Sequence, residues 1–287
     1  MAEDITYTYR PIKRQLIPKM TWKGFLIHGL IFLFLTALSQ IGGFIWVFTM
    51  VLWSTIRYRS KFWIPFGKIS TFLFFYLLIS WTIVPAISGK VPLPKSTHKT
   101  LAPFNQITVI LNRHYVQPEV YDALISASES FKSEYPKSKI FYLDASFPFT
   151  NWFPIPPHVT HGNGKKVDLA FYFLNEEGNY VKAEGPSAVG YGVMEGPLPG
   201  EFDQISACNR TLYSYPDFLV PDWKKDQYSL DVPRTKAMVE SLIQEASIER
   251  FFLEQHLQDR LDVQDPRFRF QGCKSVRHDD HIHVDFK

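Results

Sequence analysis

Residues 275–287 read SVRHDDHIHVDFK, which places His278, His281 and His283 close together. A second group lies in PHVTHGNGKKVDLAFYF (157–173), with His158, His161 and then Asp168. Imidazole nitrogens and carboxylate oxygens are donors for a divalent metal. Three of them, with a fourth position open to water, make a catalytic Zn²⁺ site. Either stretch alone also reads as a solvated or structural set of histidines; it is the two together that point to a metal.

Such a site needs elements that bring the stretches to one point. Gly162 and Gly164 let the backbone reverse beside His161. The chain then enters an apolar strand at Asp168. In HIHVDF (281–286) the strand period of two puts His281 and His283 on one face. If the two strands are neighbours, His161, Asp168 and one of the late histidines form a His₂Asp set.

The surrounding pattern alternates between helix and strand. YDALISASESFKSEYP (121–136) and RTKAMVESLIQEASI (234–248) have helical spacing. KIFYLDASF (139–147), VDLAFYFL (167–174) and the start of RFFLEQHL (250–257) read as strands. The expected fold for 105–287 is α+β: a mostly antiparallel sheet with helices packed on it. GPSAVGYGVMEGPLPG (185–200) reads as a loop or lid. Residues 89–104, with Pro, Lys, Ser and Thr and no periodicity, read as a linker.

Ahead of this domain the chain changes character. Residues 1–23 are basic, whereas 24–56 and 69–88 are almost free of charge. Segment 69–88 has about the 20 residues a transmembrane helix needs. Segment 24–56 is too long for one span, at roughly 50 Å as a single helix. Ser39-Gln40 and Gly42-Gly43 at its middle suggest a hairpin. Basic residues flank it on both sides: Arg10, Lys13, Arg14, Lys19 and Lys23 before, Arg57, Arg59, Lys61 and Lys68 after. The positive-inside rule then keeps both flanks cytoplasmic, makes 69–88 a third span and puts the domain in the periplasm or its equivalent. A two-span arrangement is the alternative. The net charge of +3, with no basic stripe among exposed aromatics, gives no reason to expect nucleic acid as a partner. The two cysteines, Cys208 and Cys273, would pair in an oxidising compartment or else pack as free thiols.

HGNGKKVD (161–168) and HIH (281–283) resemble the HxxGxxxD and HxH motifs of the LAS metallopeptidases, which include lysostaphin-type enzymes, D-alanyl-D-alanine carboxypeptidases and the hedgehog signalling domain. The longer run HDDHIHV is most similar to the penicillin-insensitive murein endopeptidases. The resemblance covers the motifs and, loosely, the order of elements from about 120 onward; it does not extend to the membrane part. It implies zinc held by His161, Asp168 and His283, with His281 catalytic and His278 matching the additional histidine of the endopeptidase-like branch. Thr160 stands where the family has Ser, and Lys165 and Lys166 where it has small or apolar residues. The general base stays open between these histidines and the nearby Asp279 and Asp280. The implied activity is zinc-dependent hydrolysis of amide bonds in stem or cross-link peptides of peptidoglycan, by an enzyme anchored in the cytoplasmic membrane. The alternatives are a non-catalytic zinc-binding module, as in the hedgehog branch, and a membrane-anchored partner-binding protein with incidental histidines.

Overall fold

The computed structural model describes residues 21–56, 63–154, 160–181, 185–209, 213 and 218–287. His158, the basic residues before Thr21, and Arg57, Arg59 and Lys61 lie outside the described residues. The chain forms two compact units. One runs to Thr36 and takes in Ile41–Tyr76; the other comprises Ala37–Gln40 and Leu77–Lys287.

The first unit is built from apolar helices. Helix α1 (Trp22–Ser39) and helix α2 (Gly42–Thr55) are separated by a break at Gln40, which has a positive φ of 65°. Phe32 stacks edge-on against Phe44 and His28 lies against Trp46, so the two helices pair as a hairpin. Helix α3 (Ile64–Leu78) adds Phe72 against Trp46 and Phe75 against Phe48. A π-turn (Ile79–Ile83) and a last α-turn (Val84–Ile87) continue the rod of α3. The π-turn precedes Pro85, which has no N–H to bond back along the helix.

By length and composition, two helices could cross a membrane: Trp22–Ser39 and Ile64–Ile87. The hairpin break falls within the expected stretch, but the arms are unequal. At 14 residues α2 is short of a full span.

The second unit carries a six-stranded sheet: β1 (Leu101–Pro103), β2 (Ile140–Asp144), β3 (Lys166–Ala170), β4 (Ile248–Phe252), β5 (Phe268–Arg269) and β6 (His281–Phe286). Their spatial order is β5-β4-β6-β3-β2-β1. The sheet is mixed, not mostly antiparallel as the sequence suggested. The three inner pairings are antiparallel, and both edge strands are added parallel. A parallel neighbour requires a crossover. Helix α4 (Pro118–Glu134) lies between β1 and β2 in sequence, and helix α6 (Gln255–Arg260) between β4 and β5, after helix α5 (Val232–Ile243). The segment 250–257, expected to begin as a strand, divides between β4 and α6.

Helix α4 starts with Pro118 at its first turn and buries Val120, Ala123, Leu124, Ala127 and Phe131, an i, i+3, i+4 stripe. Helix α5 is capped by Asp231, whose carboxylate accepts from Arg234 N at 3.2 Å. Both helices share one core with Val167 and Leu169 of β3 and with Ile282 and Val284 of β6. Alternation along those strands leaves Asp168, His281, His283 and Asp285 on the opposite face.

Residues 89–104 are not a linker. Val91–Pro92 pairs with Tyr115–Val116, Lys90 and Leu93 are buried, and Leu101–Pro103 is β1. The folded domain therefore begins directly after the apolar helix.

Candidate metal centre

Strand β6 lies beside β3 in antiparallel register, with His283 directly opposite Asp168. His161 sits in a single 3₁₀ turn, His161–Asn163, that leads into β3. Gly164 closes that turn at φ 77°, a conformation that disfavours side chains with a Cβ. His161, Asp168 and His283 are all buried, and each offers one ligand atom lying within 4.8 Å of the others. The group could hold a metal ion.

The nitrogens not facing the centre are occupied. His161 Nδ1 donates to Ala145 O at 3.2 Å, which leaves Nε2 as the inward atom. His283 Nε2 lies 2.8 Å from Asp285 Oδ1, leaving Nδ1 inward, 2.7 Å from Asp168 Oδ1 and 3.2 Å from His161 Nε2. Imidazoles bound to metals typically donate their outer N–H to a carbonyl or a carboxylate in this way. Three inward acceptors at such distances repel one another unless a proton or a cation lies between them. Burial disfavours a charged His283, but Asp168 and Asp285 outweigh it and hold its pKa up to about 9. The surplus negative charge that does this is the charge a cation would neutralise.

His281 lies on the same face, one strand period from His283. Its Nδ1 bonds the Asp280 carboxylate, which turns Nε2 towards the centre, 3.7 Å from Asp168 Oδ1. Burial opposes protonation of His281, yet Asp280 and Asp168 raise its pKa above the ordinary value. An imidazole oriented by a carboxylate in this way can accept and return a proton. The ring of His278 is 5.0 Å from that of His281 and 5.6 Å from that of His283. The structure thus brings all five sequence-identified residues together.

It also separates the two adjacent aspartates. Asp280 orients His281. Asp279 is turned away to Arg277, and burial, against the pull of that guanidinium, raises its pKa to about 7.

Three contributors were not read from the sequence. Tyr191 donates its hydroxyl to Asp168 Oδ2 at 2.8 Å, and Gly192 N donates to Asp280 Oδ2 at 2.6 Å. Both come from the Gly- and Pro-rich loop 185–200. Gly190 and Gly192, at φ 87° and 89°, bend the backbone on either side of Tyr191. The third is Asp285, which continues the His281, His283 period of two; that alternation was a signal in the sequence.

The centre opens into a cleft of about 680 Å³, whose walls include Arg113, Lys166, Phe252 and Val276. Arg113 is held there by Asp144 through Nε at 2.9 Å. Cys208 and Cys273 are joined by a disulfide with Cα atoms 5.1 Å apart. The bridge fastens the Gln271–Val276 wall of the cleft to the helical turn Gln204–Cys208.

Comparison of the chain with protein-family models and with curated proteins finds no match.

Proposed function

We propose that this chain is a zinc-dependent peptidase that hydrolyses amide bonds in peptidoglycan peptides, anchored in the cytoplasmic membrane with its cleft on the outer side. One observation carries the reading. A buried His₂Asp group and a carboxylate-oriented imidazole share one sheet face at the floor of an open cleft. A group that only held metal for stability would have no use for the Asp280–His281 pair or for a cleft. The motif resemblance to LAS peptidases supplies the substrate class.

His161, Asp168 and His283 would hold the ion; zinc suits two imidazoles and one carboxylate. A zinc ion bound there supplies Lewis acidity and a water that is acidic near neutral pH. The chain's own groups divide the remaining work. His281 takes a proton at Nε2 and later passes it to the departing amine, while Asp280 keeps Nδ1 protonated. Tyr191 fixes Asp168 through one oxygen and leaves the other facing the two imidazoles. His278, whose ring lies 5.0 Å from that of His281, would stabilise negative charge developing on the scissile carbonyl.

The test uses the full chain in detergent micelles, loaded with zinc and incubated with defined muropeptides whose products are weighed by mass spectrometry. New amine and carboxylate termini at one peptide bond are expected. Stoichiometric zinc with no cleavage would instead favour the non-catalytic module.

A further inference from the structure

The last residues of the apolar helix, Leu77–Ile87, belong to the same compact unit as the cleft, as does the turn Ala37–Gln40. A short segment, Ala145–Thr150, joins these pieces to the metal centre. Ala145 O receives His161 Nδ1. Lys90 is buried and donates through Nζ to Ser146 Oγ at 3.0 Å, Phe147 O at 2.9 Å and Gly162 O at 2.7 Å. Ser88 Oγ donates to Pro148 O at 2.7 Å. The Gln40 amide is used at both ends: Oε1 accepts from Phe149 N and Nε2 donates to Thr150 Oγ1, each at 2.9 Å. Higher on the helix, Asn112 Nδ2 donates to Ser80 Oγ at 3.1 Å.

These bonds limit how far the centre can stand from the helix end. Ile87 to Lys90 is three residues, roughly 11 Å at full extension. Lys90 Nζ then touches the carbonyl of Gly162, the neighbour of His161. The centre therefore lies within about 20 Å of the end of the apolar rod. That rod, Ile64–Ile87, has 24 residues. Its length of about 36 Å exceeds a hydrocarbon core of ~30 Å by roughly one turn. The domain is attached along the last two turns of the rod, from Ser80 to Ile87, which takes in this excess. Trp81, 54% exposed with Lys95 Nζ 4.7 Å from its ring centre, and Trp152, 79% exposed next to the Gln40-bound segment, suit the headgroup layer.

We propose that the cleft serves substrates held at the bilayer surface, namely peptides carried on a lipid, and not strands of a polymer remote from the membrane. The proposal rests on the peptidase and membrane-anchor reading above. A domain on a flexible tether could reach outward, but here the first residues after the helix are folded into the metal loop itself. In the reaction the peptide C–N bond breaks; the hydroxyl of water goes to the acyl carbon and its remaining proton to the amine.

The test reconstitutes the full chain in phosphatidylethanolamine–phosphatidylglycerol vesicles and supplies one muropeptide in three forms: free, joined to a lipid within the vesicles, and as isolated insoluble sacculi. The lipid-joined form should be cleaved at least roughly tenfold faster than the free form at equal total concentration, with sacculi left intact. A second protein carries a flexible insert of about 20 residues between Ser88 and Gly89 together with Gln40→Ala, Ser80→Ala and Ser88→Ala, which remove the side-chain bonds that would otherwise hold the domain to the helices. It should lose most of that preference while keeping its rate on the free form. Sacculi cleaved as fast as the lipid-joined form, or a preference unchanged by the insert, would overturn the proposal while leaving the peptidase reading intact. No cleavage of any form, including the free form in micelles, would overturn both.

Discussion

At the scale of single residues, the centre makes separable predictions. The zinc content of the purified chain should be about one per chain and should fall sharply in His161→Ala, Asp168→Ala and His283→Ala, as read by elemental analysis. His281→Ala should keep its zinc and lose about 10²–10⁴-fold in hydrolysis rate, because the proposed mechanism uses the imidazole as acid and base and not as a ligand. If zinc leaves with His281 and stays without His283, the two roles are exchanged. Asp285→Asn should weaken zinc binding by about 10–100-fold in competition with a chelator, since the carboxylate fixes the outer nitrogen of His283. His114 tests pH dependence away from the metal. It is buried, and burial together with Lys95 lowers its pKa from 6.5 to about 3. Above pH 6.5 the ring is neutral in both the folded and unfolded chain and costs nothing. As pH falls from 6.5 towards 3 the unfolded chain gains the proton and the folded chain does not. Stability should therefore fall by up to about 1.4 kcal/mol per pH unit in that window. His114→Gln, in chelator-treated protein, should flatten that slope in thermal melts.

At the scale of elements, much was legible where a period met a special residue. His281, His283 and Asp285 share a face because a strand alternates, and Gly164 marks the turn that aims His161. What stayed hidden depended on contacts distant in sequence. Nothing near Tyr191 says that its hydroxyl reaches Asp168. The parallel edges of the sheet follow from where α4 and α6 run, which no local pattern records. Residues 89–104 were misread because Pro, Lys and Ser suggest a tether, while the burial of Lys90 depends on the carbonyls of a segment more than fifty residues later. The disulfide is a prediction at this scale. It closes a separation of 65 residues and should contribute about 4 kcal/mol in the chain-entropy treatment. The double variant Cys208→Ala, Cys273→Ala should melt at a lower temperature yet retain zinc, because neither residue belongs to the metal group. Loss of zinc with the bridge would show that the cleft wall and the centre fold as one.

At the scale of the whole molecule, the basic flanks and the apolar helices predict an outward-facing domain. Fusion of alkaline phosphatase after Lys95 should be active, and fluorescent protein at the same place dark; the reverse would place the cleft in the cytoplasm. One feature of the sheet then governs when the His–Asp–His group is complete. Strand β6 lies between β3 and β4 yet follows every other strand of the sheet in sequence. During vectorial synthesis, β3 and β4 must wait for a neighbour that is made after both, and His161 and Asp168 wait with them for a third donor. A chain stalled or clipped before residue 281 keeps its apolar helices and most of its core but has no complete His–Asp–His group. Copies that stop short of that strand therefore hold two of the three donors and lack the third, whatever the state of the rest of the fold.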